Sequence, residues 1–167
     1  HVLIKDVLIS ETAYQKWKKS FLNSILFSYK KAKNYSKINA LIERILEKKP
    51  ETISEIAIKS VIEVSQYLDL KTEFEVCSDV YSNTYLSGQN RVLDICINEK
   101  ATTYINPIGG MELYSKSVFQ EKNIELFFIK ANKLVYPQFS EEFVPFLSII
   151  DVLMFNDMDD IHKQLDN

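Results

Sequence analysis

Residues 102–114, TTYINPIGGMELY, decide the fold of this chain. A short β-like run ends near Asn106, and Gly109-Gly110 follow at the start of a helical pattern, although the chain has only three glycines. Glycine permits close approach to the main chain, and the first N–H groups of a helix can bind an anion. The stretch therefore predicts a strand–turn–helix junction with Asn106, Gly109 and Gly110 as ligand-binding candidates. A tight turn without a ligand is the alternative, because the spacing of a full phosphate-binding loop is absent.

Hydrophobic periodicity divides the 167 residues into a helical part, about 11–70, and an alternating βα part, about 71–156, followed by a polar tail, 157–167. The order of elements predicts an α/β fold: a small, largely parallel sheet flanked by helices, with a helical N-terminal half. The length favours one domain. The predicted strands are 2–9, 71–79, 102–106 and 124–129. The predicted helices begin near Glu11, Ser36, Thr52 or Ser54, Asn90, Gly110 and Val144, with one more in the tail.

The composition is that of a globular protein, with 46% apolar and 26% charged residues. The net charge of −3 argues against bulk attraction to nucleic acid. No apolar run approaches the roughly 20 residues that cross a bilayer, and the first residues lack a signal-peptide pattern. We therefore expect a cytoplasmic protein without a membrane span or a nucleic-acid partner. The chain begins with His1, which indicates a fragment or a processed product.

The residues that usually carry nucleophilic or metal chemistry are scarce. Cys77 and Cys96 lack the spacing of a zinc site, and we expect both thiols to be buried. His162 lies in the tail, so a Ser-His-Asp or Cys-His site is not expected, and no metal site is predicted. Carboxylates remain as proton-transfer groups. Asp151, in an apolar run, is predicted to be paired or capping, with a general base as the alternative.

Four further candidates follow strands of the predicted sheet, where ligands bind in open parallel sheets. Arg91 offers a planar fork to a phosphate or carboxylate; a local ion pair with Asp94 is the alternative. Tyr136 and Gln138 form a compact aromatic loop that can stack on a sugar or base and hydrogen-bond to it. Packing against the sheet edge is the other interpretation of that loop.

The stretch between Thr12 and Ile42 contains no acidic residue. Its lysines can steer an anionic sugar nucleotide, a lipid phosphate or a nucleic acid, and a solvated helix face is the alternative. These lysines are Lys16, Lys18, Lys19, Lys30, Lys31, Lys33 and Lys37.

A family resemblance rests on three segments, 91–96, 102–114 and 143–156, with support from 28–32 and the helix of Trp17. Together these segments resemble the WbqC-like family, and the resemblance runs in order along the whole chain. It implies work in bacterial surface-polysaccharide biosynthesis, such as O-antigen or lipopolysaccharide formation, with a nucleotide-linked amino sugar as ligand and acyl or aminoacyl transfer as the reaction. Tyr114 would then line the sugar or base side. A non-catalytic scaffold or partner-binding module of the same pathway is the alternative. The resemblance supplies neither a catalytic residue nor a cofactor, and family members begin with a further segment that is absent from this sequence.

Overall fold

The computed structural model describes residues 3–132 and 134–165. The chain forms two compact units, His1–Phe74 with Leu134–Asn167, and Glu75–Lys133. We call them the helical unit and the βα unit. Hydrophobic periodicity assigned residues up to about 156 to the βα part. The structure instead groups the chain from Leu134 onward with the N-terminal helices.

The helices and strands confirm the α/β class, with a small parallel sheet and a helical N-terminal half. Within the described residues, no helix is both long and apolar enough to traverse a bilayer. In chain order the elements are α1 (Glu11–Tyr29), α2 (Tyr35–Ile45), α3 (Ile53–Tyr67), α4 (Gly88–Asn98), β1 (Thr103–Pro107), α5 (Lys116–Gln120), β2 (Glu125–Ile129), α6 (Ile149–Phe155) and α7 (Met158–Leu165).

The helical unit is built from amphipathic helices whose apolar faces meet in one core. Ile38 of α2 and Leu153 and Met154 of α6 are its most enclosed residues. The side-chain amide of Asn34, just before α2, donates to the carbonyls of Leu153 (3.1 Å) and Asn156 (2.7 Å). These bonds satisfy two carbonyls at the end of α6, which would otherwise lack a partner.

The predicted start of α3 is confirmed in detail. Thr52 adopts an extended backbone, and its hydroxyl accepts a hydrogen bond from the amide of Glu55 at 3.3 Å. The Glu55 carboxylate in turn accepts from the amide of Glu51 at 2.7 Å. The first bond satisfies an N–H group that a helix start leaves free, and the second holds the residue before the cap against the first turn.

The βα unit contains the sheet. β1 and β2 run parallel, with Tyr104 opposite Leu126 and Ile105 opposite Phe127. Tyr104 and Leu126 belong to the core around the fully buried Phe119 of α5. Side chains alternate between the faces of a strand, so Ile105 and Phe127 lie on the other face and are exposed.

Two predicted strands are wrong. Residues 71–77 form no regular secondary structure and pair with no described strand, and Ser78–Tyr81 form a 3₁₀ turn. The described part of 2–9 contains a 3₁₀ turn, Ile4–Asp6, and a single antiparallel bridge from Leu8 to Thr52, while His1 and Val2 lie outside the described residues. An alternating pattern reports side-chain period only, and a strand also requires a partner for its backbone groups.

Two predicted helices are shorter in the structure. The segment predicted as one helix from Gly110 to Lys122 divides into a 3₁₀ turn, Ile108–Leu113, and α5, because adjacent glycines hold an α-helix poorly. The last apolar helix begins at Ile149 rather than at Val144. Phe146 has a φ of +58° there, and a left-handed residue interrupts a right-handed helix.

Replacement of Leu153 by Ala tests whether α6 is part of the helical core. Its side chain is 2% exposed, so we expect the free energy of unfolding to fall by about 2–5 kcal/mol through lost burial and a cavity. Leu26→Ala on α1 is the matched control, because Leu26 is 39% exposed, and its loss should be clearly smaller. Urea denaturation of both variants measures the difference, and equal losses would contradict the core assignment.

Candidate functional site

The turn after β1 brings Gly110 against the side chain of Asn106. A Cβ atom added to Gly110 would lie 2.3 Å from Oδ1 of Asn106 and 3.4 Å from the ring of Tyr114. A Cβ added to Gly109 would meet nothing within 4 Å. Of the two predicted glycines, only Gly110 is therefore required by contact, because any larger residue there displaces the Asn106 carboxamide.

The Asn106 carboxamide is hydrogen-bonded to one member of a cluster of aromatic rings. Its Nδ2 donates to the hydroxyl of Tyr104 at 2.6 Å. The Tyr104 ring stacks on Phe119 with centroids 5.4 Å apart and meets Tyr114 edge-on at 5.6 Å. Burial raises the pKa of Tyr104 above its ordinary value, so its hydroxyl stays protonated near neutral pH. Asn106, Gly110 and Tyr114, three of the predicted site residues, thus lie together.

Asn83, a residue that the sequence did not indicate, bridges Arg91 and Asp94 by hydrogen bonds. Asn83 is 1% exposed; its Oδ1 accepts from Nε of Arg91 at 3.0 Å, and its Nδ2 donates to Oδ2 of Asp94 at 2.7 Å. Nη2 of Arg91 also donates to Oγ of Ser78 at 3.2 Å. The guanidinium is therefore held in one orientation, and its Nη1 end makes no hydrogen bond to any other described residue.

A hydrogen bond connects the start of α4 to the turn after β1. The Gln89 side chain accepts from the amide of Ser115 at 2.5 Å. Gln89 lies in the first turn of α4, two residues before Arg91, and Ser115 follows Tyr114 directly. Ser87, which precedes α4, makes no side-chain cap, so the N–H groups of that turn are not capped by it. The segments that carry the candidates Arg91 and Gly110 are thus joined by a hydrogen bond.

Comparison with protein families settles the affiliation of the chain. The model of the WbqC-like protein family matches residues 1–163. The chain belongs to the WbqC-like protein family. No curated protein and no solved structure gives a significant match.

Tyr136 and Gln138, two further predicted site residues of this WbqC-like protein, lie in the helical unit and bind a buried carboxylate. Asp151, 3% exposed in α6, accepts hydrogen bonds from the hydroxyls of Tyr29 (3.0 Å) and Tyr136 (2.7 Å) and from the amide of Gln138 (2.9 Å). Gln138 also donates to the carbonyl of Val144 at 3.1 Å and accepts from its amide at 2.9 Å. The hydrogen-bonding groups of Tyr136 and Gln138 are thereby occupied within the helical unit. The prediction that Asp151 is paired is confirmed.

The Asp151 cluster consists of one carboxylate and three neutral donors. Burial, and secondly the hydrogen bond to Asp151, raise the pKa of Tyr29 to about 12 and that of Tyr136 to about 12. Both hydroxyls therefore stay protonated and donate at physiological pH. Each unionised tyrosine contributes stability that is complete below pH 10 and is lost as the pH rises from about 10 to about 12. No signal in the sequence linked Tyr29 to Asp151.

The cysteines and metal-binding residues add no further site. Cys96 is buried as expected, and burial raises its thiol pKa. Cys77 is exposed, so the prediction of two buried thiols is wrong for that residue, which ends the unpaired segment 71–77. Across residues 3–132 and 134–165, His, Cys, Asp and Glu form no group of three or more that can hold a metal ion.

Asp151→Asn tests the electrostatic part of the Asp151 cluster. The variant removes the negative charge while burial remains, so the ionisation midpoints of Tyr29 and Tyr136 should fall from about 12 but stay above 10. Absorbance at 295 nm during alkaline titration measures this shift, and Tyr29→Phe and Tyr136→Phe assign the two steps.

Tyr81 is an internal control for this titration. Its hydrogen bond to Glu99 in the βα unit raises the pKa of Tyr81 to about 12, and Asp151 has no part in that shift, so the Tyr81 midpoint should be unchanged in the Asp151→Asn variant. An Asp151→Asn titration curve identical to that of the unchanged protein would contradict the assigned role of the carboxylate.

Proposed function

We propose that this WbqC-like protein acts in bacterial surface-polysaccharide biosynthesis and binds a nucleotide-linked amino sugar on its βα unit. The proposed site comprises the first turn of α4 and the turn that follows β1. The observation that carries the proposal is the contact between Gly110 and Asn106, because a side chain at residue 110 would displace an amide at the carboxyl end of a parallel strand. Ligands of open parallel sheets bind at that end.

Arg91 is the proposed partner of the diphosphate. Asn83 and Ser78 hold its Nε and Nη2, which leaves the Nη1 side of the fork for an anionic oxygen. The first turn of α4 supports the same choice, since the N-terminal end of a helix favours negative charge. Asp94 is assigned an indirect part, because its carboxylate fixes Asn83 and thereby Arg91.

Asn106 and Tyr114 are the proposed contacts on the sugar or base side. An amide offers both a donor and an acceptor to hydroxyl groups, and an aromatic ring packs against the apolar face of a sugar or a base. Gly109 supplies open space beside them, because no atom lies within 4 Å of the position of its absent Cβ. Tyr136 and Gln138 stay predictions, and the present proposal does not depend on them.

The proposed reaction is transfer of an acyl or aminoacyl group to the amino sugar, in the cytoplasm. It rests on the likeness to WbqC-like proteins, and we assign no nucleophile or general base. A non-catalytic, partner-binding module of the same pathway is the second candidate, and one observation favours it. Ile105, Phe127 and Ile129 expose apolar side chains on one face of the sheet, and contiguous exposed apolar surface is typical of protein interfaces.

Gly110→Ala tests the proposed ligand site. The added Cβ would displace the Asn106 carboxamide, which is the end of a rotatable side chain, so stability should change by less than about 1 kcal/mol while binding weakens at least about ten-fold. Isothermal titration calorimetry with UDP-, GDP- and dTDP-linked sugars and amino sugars identifies the ligand and measures its affinity.

Gly109→Ala is the matched control for that experiment. It adds the same methyl group one residue earlier, where nothing lies within 4 Å, and should retain the affinity of the unchanged protein. If Gly110→Ala bound the nucleotide sugar as tightly as Gly109→Ala and the unchanged protein do, Asn106 would not be part of the site. Absence of heat with every nucleotide sugar would overturn the ligand class and favour the partner-binding module.

A further inference from the structure

The outer face of α1 combines cations with exposed apolar side chains. The opposite side of the helix carries Tyr14 and Ile25, which are buried in the core. With 3.6 residues per turn, the lysines and apolar residues of α1 named below fall on the opposite side of the helix from Tyr14 and Ile25. We define the α1 outer face as Lys16, Lys19, Leu26 and Phe27 of α1 together with Lys30 and Lys31 of the turn that follows the helix, all of them exposed.

The four lysines of this face carry uncompensated charge. Their side chains make no hydrogen bond or ion pair with another described residue, whereas Lys18 donates to the Leu46 carbonyl at 2.5 Å and Lys33 pairs with Asp157. The sequence from Thr12 to Ile42 contains no Asp or Glu. The nearest acid on α1, Glu11, is bonded to Gln15 at 2.9 Å. The positive charge of the α1 outer face is therefore directed at solvent.

Phe27 and Leu26 lie between the two pairs of lysines. Phe27 is 75% exposed and Leu26 39% exposed. Lys16 and Lys30 are fourteen residues apart, which corresponds to a length of about 21 Å along a helix. A Phe and a Leu flanked by cations over this length match a surface that is anionic outside and apolar beneath, since lysines bind the headgroups while the apolar side chains enter the acyl boundary.

We propose that the α1 outer face binds the surface of a membrane rich in anionic phospholipid. Charge complementarity supplies the attraction, and Phe27 supplies the apolar contact that a purely electrostatic partner would not need. A nucleic acid is the less favoured occupant, because Leu26 and Phe27 are adjacent on a convex helix rather than interleaved with cations on a platform for stacked bases. This surface lies in the helical unit, and the proposal does not depend on the nucleotide-sugar site.

Co-sedimentation with vesicles tests the proposal on the full chain. The protein should bind vesicles of equal parts phosphatidylglycerol and phosphatidylcholine, fail to bind phosphatidylcholine alone, and dissociate in 0.5 M NaCl, because salt screens exposed charges. The triple substitution K16Q/K19Q/K31Q should lower the partition coefficient about 100-fold, at about five-fold for each lysine. Phe27→Ser should lower it about ten-fold through lost apolar burial.

The control variant K100Q/K122Q/K130Q makes the same change of charge on exposed lysines of the βα unit and should retain binding. Circular dichroism establishes that each variant remains folded. Equal binding of K16Q/K19Q/K31Q and the control variant would overturn the proposal, as would binding to phosphatidylcholine alone. Salt-dependent binding of a 20-nucleotide RNA that K16Q/K19Q/K31Q abolishes, without vesicle binding, would assign the face to nucleic acid instead.

Discussion

The Asp151 carboxylate is the constraint on which the helical unit depends. A buried charge without hydrogen bonds is very costly, and here Tyr29, Tyr136 and Gln138 supply the bonds from α1 and from the segment before α6. Gln138 extends the connection to the main chain of Val144. Segments more than 120 positions apart in sequence are thereby joined, with 122 between Tyr29 and Asp151. This cluster explains why the chain after Leu134 packs with the N-terminal helices.

In the βα unit a neutral side-chain amide, that of Asn83, joins separate segments by hydrogen bonds. Asn83 is buried between Arg91 and Asp94 and bonds to both, so an irregular segment is attached to α4 without a direct ion pair. The result is an arginine whose orientation is fixed on one side and open on the other. Gly110 and Asn106 add a second fixed element after β1. The proposed function depends on these two preorganised features.

Sequence reasoning predicted the parts of this protein that local pattern determines. It found α1, α3 with its Thr52 cap, the two paired strands, and the proximity of Gly110 to Asn106 within one turn. It failed where long-range contacts decide. Residues 71–77 alternate like a strand but have no partner, and the role of Asn83 depends on an Arg and an Asp from another segment. Partners of this kind leave no periodic trace along the chain.

The central claim is that the first turn of α4 and the turn after β1 form one anion-binding, sugar-binding surface. Two-dimensional ¹⁵N NMR with a nucleotide sugar tests it most directly. The account predicts that the side-chain signals of Arg91 Nε and Asn106 Nδ2 and the amide of Gly110 shift together in a saturable manner, while the amides of α6 do not move. Saturable shifts confined to the helical unit, with Arg91 and Asn106 unmoved, would contradict it.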